Sequence, residues 1–237
     1  MTLHLSVCMT MNKPLSEYVQ SGYQIPTEAT LTFARTNAQT IAQRVSLLRE
    51  LLPDVRTIGE LCCGDCSRQW AAYRQAFPAV SYQGLDIAPH IVAANQAQGI
   101  AVICGDVLDP PTVRQFLACD VIFFGPPLSQ DCNGHSLLAF HKVIPAYTDF
   151  MRLLWGDLGY QGALICICPN TTTMGDVQRL YTQTRAVRPD VNLRLLHYSY
   201  ATLTGHDEVT PLRLKYVELW FSPVLPDVWE VRGLMPG

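Results

Sequence analysis

Charge is scarce in this sequence, making up only 16% of its 237 residues. No apolar run approaches the ~18 to 20 residues that a membrane-spanning helix requires, and runs such as Val121–Phe124 and Ala163–Cys168 are strand-length. The chain is therefore expected not to span a bilayer. Positive charge is not in excess: 17 Lys and Arg stand against 20 Asp and Glu, a net charge of −3, so the overall balance advertises no polyanion partner. Two phosphate-cradling patterns are missing as well, the dinucleotide G-x-G-x-x-G and the nucleotide-triphosphate G-x-x-x-x-G-K-[ST]. Met1–Met11 carries neither a leading basic cluster nor a small-residue cleavage site, so no signal peptide is expected and a cytoplasmic, reducing setting follows.

Cysteine is the exception to this scarcity, with nine residues. Nine is too sparse for a disulfide scaffold at this length, and an odd number cannot all pair, so most are read as reduced. Cys62, Cys63 and Cys66 form C-C-x-x-C without a second C-x-x-C, and Cys166 and Cys168 alternate along a strand, which suits small buried residues better than a metal site. His141, His197 and His206 show no metal spacing, and no metal is expected.

Half of the composition (49%) is hydrophobic, enough for a globular domain. Leu31, Ala34, Ala38, Ile41, Val45, Leu48 and Leu52 alternate by three and four, predicting a helix capped by Thr27 and stopped by Pro53. Thr57–Cys63 reads as a buried strand closed by Gly64, followed by a helix presenting Trp70, Tyr73 and Phe77. Val80–Asp86, Ile100–Cys104, Val121–Phe124 and Ala163–Cys168 are further strands. Helices are expected over Pro89–Gln98, around Thr112–Ala118, around Leu137–Trp155, and through Val177, Leu180, Tyr181, Thr184 and Val187. Strands alternating with helices call for a parallel sheet covered on both faces. Leu193–Tyr200 and Leu214–Phe221 have no room between them for a crossover helix, so they must pair antiparallel. The expected organisation is an N-terminal extension and helix over 1–56 packed on a core domain over 57–237.

In an open doubly wound sheet, ligands bind beyond the carboxyl ends of the strands. Three short motifs fall there. Glu60-Leu61-Cys62-Cys63-Gly64-Asp65-Cys66 places an acid in a strand and then a glycine turn, where backbone can approach a ligand and Glu60 can hold a polar or cationic group. Asp86, in Gly84-Leu85-Asp86-Ile87, ends the second strand and can accept both hydroxyls of a ribose. Gly105-Asp106-Val107 ends the third, within reach of an adenine edge. Together they outline a site for a nucleoside without a pyrophosphate.

With these motifs the chain resembles the class I S-adenosylmethionine-dependent methyltransferases over roughly residues 57 to 221. The resemblance implies an α/β fold: a doubly wound, seven-stranded, mostly parallel sheet with an antiparallel C-terminal hairpin and helices on both faces. It also implies S-adenosylmethionine as cofactor. Glu60 and Gly64 match the family's first motif, whereas Cys66 stands where a second glycine is usual. After strand four, Phe123-Phe124-Gly125-Pro126-Pro127-Leu128 resembles the (Asp/Asn/Ser)-Pro-Pro-(aromatic) signature of methyltransferases acting on exocyclic base amines in RNA or DNA. There, acceptors on the amine hydrogens favour the pyramidal form that attacks the sulfonium methyl. Gly125 and Leu128 depart from that signature. Gly22-Tyr23-Gln24-Ile25-Pro26-Thr27 resembles the segment that packs over the cofactor's methionine part in such enzymes.

The implied cofactor-binding residues are Tyr23, Pro26, Thr27, Glu60, Cys62, Gly64, Asp65, Asp86, Ile87, Asp106, Val107 and Phe124. The implied catalytic residues are Gly125, Pro126, Pro127 and Leu128; Asp131 joins them as a candidate from the polar loop after the double proline, where Asp131 or His135 could serve as acceptor or base. A base in RNA or DNA is the expected acceptor. A small molecule or protein side chain is the alternative, and a binding protein without catalysis is a third reading. Arg179, Arg185, Arg188, Arg194, Arg213 and Lys215 concentrate positive charge in the last third, as a solvated face or a phosphate-contacting edge.

Overall fold

A computed structural model describes residues 36–128, 139–201, 213–223 and 230–232. In chain order the elements are α1 (Ala38–Leu51), β1 (Thr57–Leu61), α2 (Ser67–Ala76), β2 (Ser81–Asp86), α3 (Pro89–Gln96), β3 (Val102–Cys104), α4 (Pro110–Arg114) and β4 (Val121–Phe124). A single 3-10 turn, Phe140–Lys142, precedes α5 (Tyr147–Met151), which runs on as a π-helical stretch, Arg152–Asp157. Then come β5 (Ala163–Pro169), α6 (Met174–Val187), β6 (Asn192–Ala201), β7 (Arg213–Ser222) and β8 (Glu230–Arg232).

The eight strands form one sheet in the order β3-β2-β1-β4-β5-β7-β6-β8. Pairing is parallel from β3 to β5, antiparallel on both sides of β7, and parallel again between β6 and β8. The expected alternation of strand and helix and the antiparallel β6–β7 hairpin are both present. The strand count rises from seven to eight because β8 adds an edge, Leu195 to His197 pairing Glu230 to Arg232. Arg232 also reaches α1, its two terminal nitrogens each 2.6 Å from a carboxylate oxygen of Glu50.

Two other expectations are corrected. Helix α1 begins at Ala38, not after Thr27: Asn37 is extended (ψ 142°) and its side chain accepts the Gln39 N–H at 2.7 Å, so asparagine caps the helix. Thr27 lies outside the described residues. The region 139–155 is not one helix, because Pro145 lacks an N–H and restricts Ile144, so the helix starts only at Tyr147.

The sheet is apolar on both faces, as buried parallel strands require. Leu61, Ile122, Phe124, Leu164, Cys166 and Leu219 face the layer of α5 and α6. Ile58, Phe123, Ile165 and Trp220 face that of α1 and α2. Trp155 and Trp220 are buried, as expected, and Trp229 lies outside the described residues. Among the described residues no helix is long and apolar enough to cross a membrane.

Candidate cofactor and acceptor site

Winding reverses between β1 and β4, the central pair of the parallel part, and a crevice beyond their carboxyl ends is where a doubly wound sheet binds ligands. Both candidate motifs open there. Register brings Glu60 beside Phe123 and Leu61 beside Phe124. The ladder runs one step further: the Gly125 N–H donates to the Leu61 carbonyl at 3.2 Å, and the Cys63 N–H to the Leu85 carbonyl at 3.0 Å. The glycine turn after β1 and the double proline after β4 are therefore held side by side.

The turn itself is built from unusual backbone. Gly64 has φ +55° and Cys62 has φ +59°, the one non-glycine residue in the left-handed region among the described residues. A side chain is costly in that conformation. Asp86 fixes the turn from the next strand. One of its oxygens accepts the Gly64 N–H and the other the Ala88 N–H, each at 2.9 Å. Asn95, on α3, clamps it from behind, its amide donating to the Gly64 carbonyl at 2.8 Å and its oxygen accepting the Cys66 N–H at 3.3 Å. Cys66 is fully buried and its thiol also points at Asn95, 3.4 Å away. Asp65 accepts the Ser67 hydroxyl at 2.6 Å and its N–H at 3.1 Å, at the start of α2.

At the ends of β2 and β3, the Gly105 N–H donates to the Asp86 carbonyl at 3.0 Å, and the Asp106 carboxylate accepts the Leu108 N–H at 2.8 Å. Burial, then the carboxylates of Asp86 and Asp106, push the Cys62 thiol well above its ordinary value. Cys62, Gly64, Ile87 and Asp106 are half-buried, whereas Val107 and Phe124 belong to the core. Burial raises the Asp86 carboxyl as well, offset in part by the Ala88 and Gly64 N–H groups.

Glu60 lies one layer below the turn and is nearly enclosed. Its carboxylate accepts the Tyr82 hydroxyl at 2.9 Å and the Gln69 amide at 3.5 Å. Burial pushes it up; Arg44 and these two partners draw it back. On the acceptor side, Pro126 is buried while Gly125, Pro127 and Leu128 are half-buried. Leu128 packs against the α5 and α6 face, where Phe124 meets Phe150 at 4.2 Å and Tyr147 at 5.6 Å. A Cβ on Gly125 would stand 3.2 Å from Ile167, so the missing side chain leaves room that Ile167 partly fills.

Tyr23, Pro26, Thr27, Asp131 and His135 lie outside the described residues. So do the side chains of Arg213 and Lys215. The remaining arginines do not form one free edge. Arg185 holds Asn192 at 2.6 Å, Arg188 holds Asp190, Gln161 and the Tyr160 carbonyl, and Arg194 is buried, leaving Arg179 exposed. No group of three or more metal-ligating side chains gathers among the described residues.

No family model matches the chain, and no curated protein matches it in sequence. Solved structures do. A plantazolicin methyltransferase in complex with a triazolic desmethyl analogue and SAH superposes with a TM-score of 0.53 at 12% identity, over 86% of this chain and 93% of that one. Precorrin-6y C5,15-methyltransferase from Geobacter metallireducens GS-15 gives 0.51 at 12% identity, over 84% and 93%. The fold is that of the Rossmann-like methyltransferases. Residues that sequence reasoning passed over support it from within. Arg44 is one, a cation on the apolar face of α1 between Ile41 and Leu48. Gln69 and Asn95 are others, and their sequence neighbourhoods carry no comparable signal.

Proposed function

We propose that the protein is an S-adenosylmethionine-dependent methyltransferase whose cofactor lies across the carboxyl ends of β1, β2 and β3. The observation that carries this is the switch point: a glycine turn pinned by Asp86 on one side, a double-proline turn on the other, joined by the Gly125 to Leu61 hydrogen bond. The residues present fit such a group. Each Asp86 oxygen accepts one backbone N–H and keeps a lone pair for a ribose hydroxyl. Ile87, Asp106 and the Gly64 turn are half-buried; in this reading the first two would flank an adenine ring and the turn would offer backbone for close approach.

The cofactor, when bound, supplies an electrophilic sulfonium methyl. The chain's own part is to position an acceptor nucleophile against it and to keep water out. Pro126 and Pro127 stiffen the segment that presents the acceptor. With glycine at 125, a backbone carbonyl is the hydrogen-bond acceptor this turn retains for an amine. The resemblance to base-amine methyltransferases makes an exocyclic amine in RNA or DNA the first acceptor to test. A small-molecule acceptor is the second reading, favoured by the local engagement of Arg185 and Arg188, which withdraws them from phosphate binding.

Labelled methyl transfer from S-adenosylmethionine into total RNA, DNA, protein and small-molecule extracts tests the proposal. Incorporation into the nucleic-acid fraction supports the base amine, and incorporation into small molecules the second reading. Cofactor binding with label in no fraction would leave a binding protein without catalysis.

A further inference from the structure

Beneath the glycine turn lies a polar assembly that the fold alone does not require. Arg44, fully enclosed, donates from Nε at 3.1 Å and from a terminal nitrogen at 2.9 Å to one oxygen of the equally enclosed Glu218 on β7. Its other terminal nitrogen reaches the Tyr73 hydroxyl at 3.4 Å. The guanidinium lies over the Phe123 ring, 4.8 Å from its centroid, and Phe123 stacks on Tyr73 at 5.7 Å. Glu60 joins from β1 through Tyr82 and Gln69, and Gln69 also donates to the Thr36 hydroxyl at 2.8 Å, just ahead of α1. One helix is thus tied, through Arg44 and Thr36, to the strand bearing the glycine turn and the strand bearing the double proline.

This is a costly way to seat a helix. Burying an ion pair often gains nothing over well-packed apolar side chains. The assembly is also incompletely satisfied: among the described residues, Thr40 Oγ1 and Gln69 Oε1 are buried without a hydrogen-bond partner, and the second Glu218 oxygen meets His197 Nδ1 only at 3.5 Å. What Arg44 supplies that leucine could not is a fixed positive charge on Glu218, in the same buried cluster as Glu60.

We infer that Arg44 is a positioning residue for the cofactor site: paired with Glu218 and seated on Tyr73 and on Phe123, the register neighbour of Glu60, it fixes a positive charge in the buried cluster beneath the glycine turn. The inference rests on the cofactor reading above. The groups facing Glu60 support it. Arg44 comes from α1, Gln69 and Tyr73 from α2, Tyr82 from β2, Cys63 from the turn and Glu218 from β7; Arg44 is the one cation among them. Without it, burial and Glu218 act together to protonate Glu60.

The test is the pH dependence of SAH affinity, measured by calorimetric titration between pH 5 and 9. The proteins compared are the wild type, the paired variant Arg44→Met with Glu218→Leu, Arg44→Lys and Glu60→Gln. Removing both partners leaves no unpaired Glu218 carboxylate, so the paired variant should fold. In the wild type, affinity is flat at high pH and falls as Glu60 takes up a proton. The paired variant should begin that fall at least one pH unit higher and bind SAH about tenfold more weakly at pH 7, Arg44→Lys should recover part of the loss, and Glu60→Gln should keep only the pH dependence that Asp86 contributes, unchanged when Arg44 and Glu218 are also replaced. A folded paired variant with the wild-type profile overturns the inference and leaves the cofactor reading intact. Wild-type protein that binds no SAH at any pH overturns both. If the paired variant does not fold, Arg44→Lys decides: a wild-type profile with lysine, which cannot bridge Tyr73 and Glu218 as a fork, contradicts the proposed tie.

Discussion

Asp86→Asn separates the two tasks assigned to that carboxylate. Asparagine keeps the shape but must turn its NH2 toward one of two N–H groups, Gly64 or Ala88, that now donate to a carboxylate oxygen at 2.9 Å. Only 8% of Asp86 is exposed, so water cannot replace the lost acceptor. A hydrogen bond to a charged group contributes roughly 1.5–3 kcal/mol. Part of that is returned because the amide carries no charge to desolvate, so about 1.5 kcal/mol is expected, a fall in Tm of about 3–6 °C for a chain of this size. Ligand-free melting reads this structural part. Melting with SAH at about one hundred times its Kd reads the other, since the wild type should gain about 2.7 kcal/mol and the variant little of it. An unchanged Tm with a full SAH gain would refute both roles. A lowered Tm with a full gain would confine Asp86 to holding the Gly64 turn.

Other expectations follow from the same contacts. Arg44→Met alone strands Glu218 and should cost about 3–5 kcal/mol in urea unfolding, most of it recovered by adding Glu218→Leu; equal losses in the single and paired variants would contradict the pairing. Burial alone would push the Glu218 carboxyl up, yet Arg44 and His197 hold it down at about 2. Its folded value lies below its unfolded one, so this stability is present above about pH 4.5 and disappears as pH falls toward 2. The acid limb of stability should accordingly be shallower in the paired variant, and an equally steep limb would assign acid unfolding elsewhere. Cys62→Gly relieves a left-handed residue at φ +59° and should raise stability by up to about 1 kcal/mol after the entropy glycine adds to the unfolded chain; a lower Tm would mean that the thiol's packing outweighs the strain.

How far the sequence could be read depended on where each residue's partners lie. β4 was legible to the residue because Val121–Phe124 is an unbroken apolar run buried on both faces. The capped start of α1 was not, because the three-four apolar spacing continues upstream of Asn37, and a cap is a local hydrogen bond that spacing does not reveal. β8 carries no strand signal in its three residues and is held by pairing with β6 and by Arg232 on Glu50. At the site, Gly64, Asp86 and Asp106 could be proposed because Asp86 ends β2 and the other two lie within the short turns that follow β1 and β3. Arg44 pairs with a residue 174 positions away, and Asn95 with one 31 positions away, distances that no motif spans. An arginine on an apolar helix face and a glutamate between Val217 and Leu219 were the signals that could have found the buried pair.

A crystal structure of the protein grown with SAH tests the central claim most directly. The account predicts the nucleoside over the Gly64 turn, its ribose hydroxyls on Asp86, its adenine beside Ile87 and Asp106, and its sulfur facing Gly125-Pro126-Pro127. SAH bound away from the carboxyl ends of β1 and β2, or absent at saturating concentration, would contradict it.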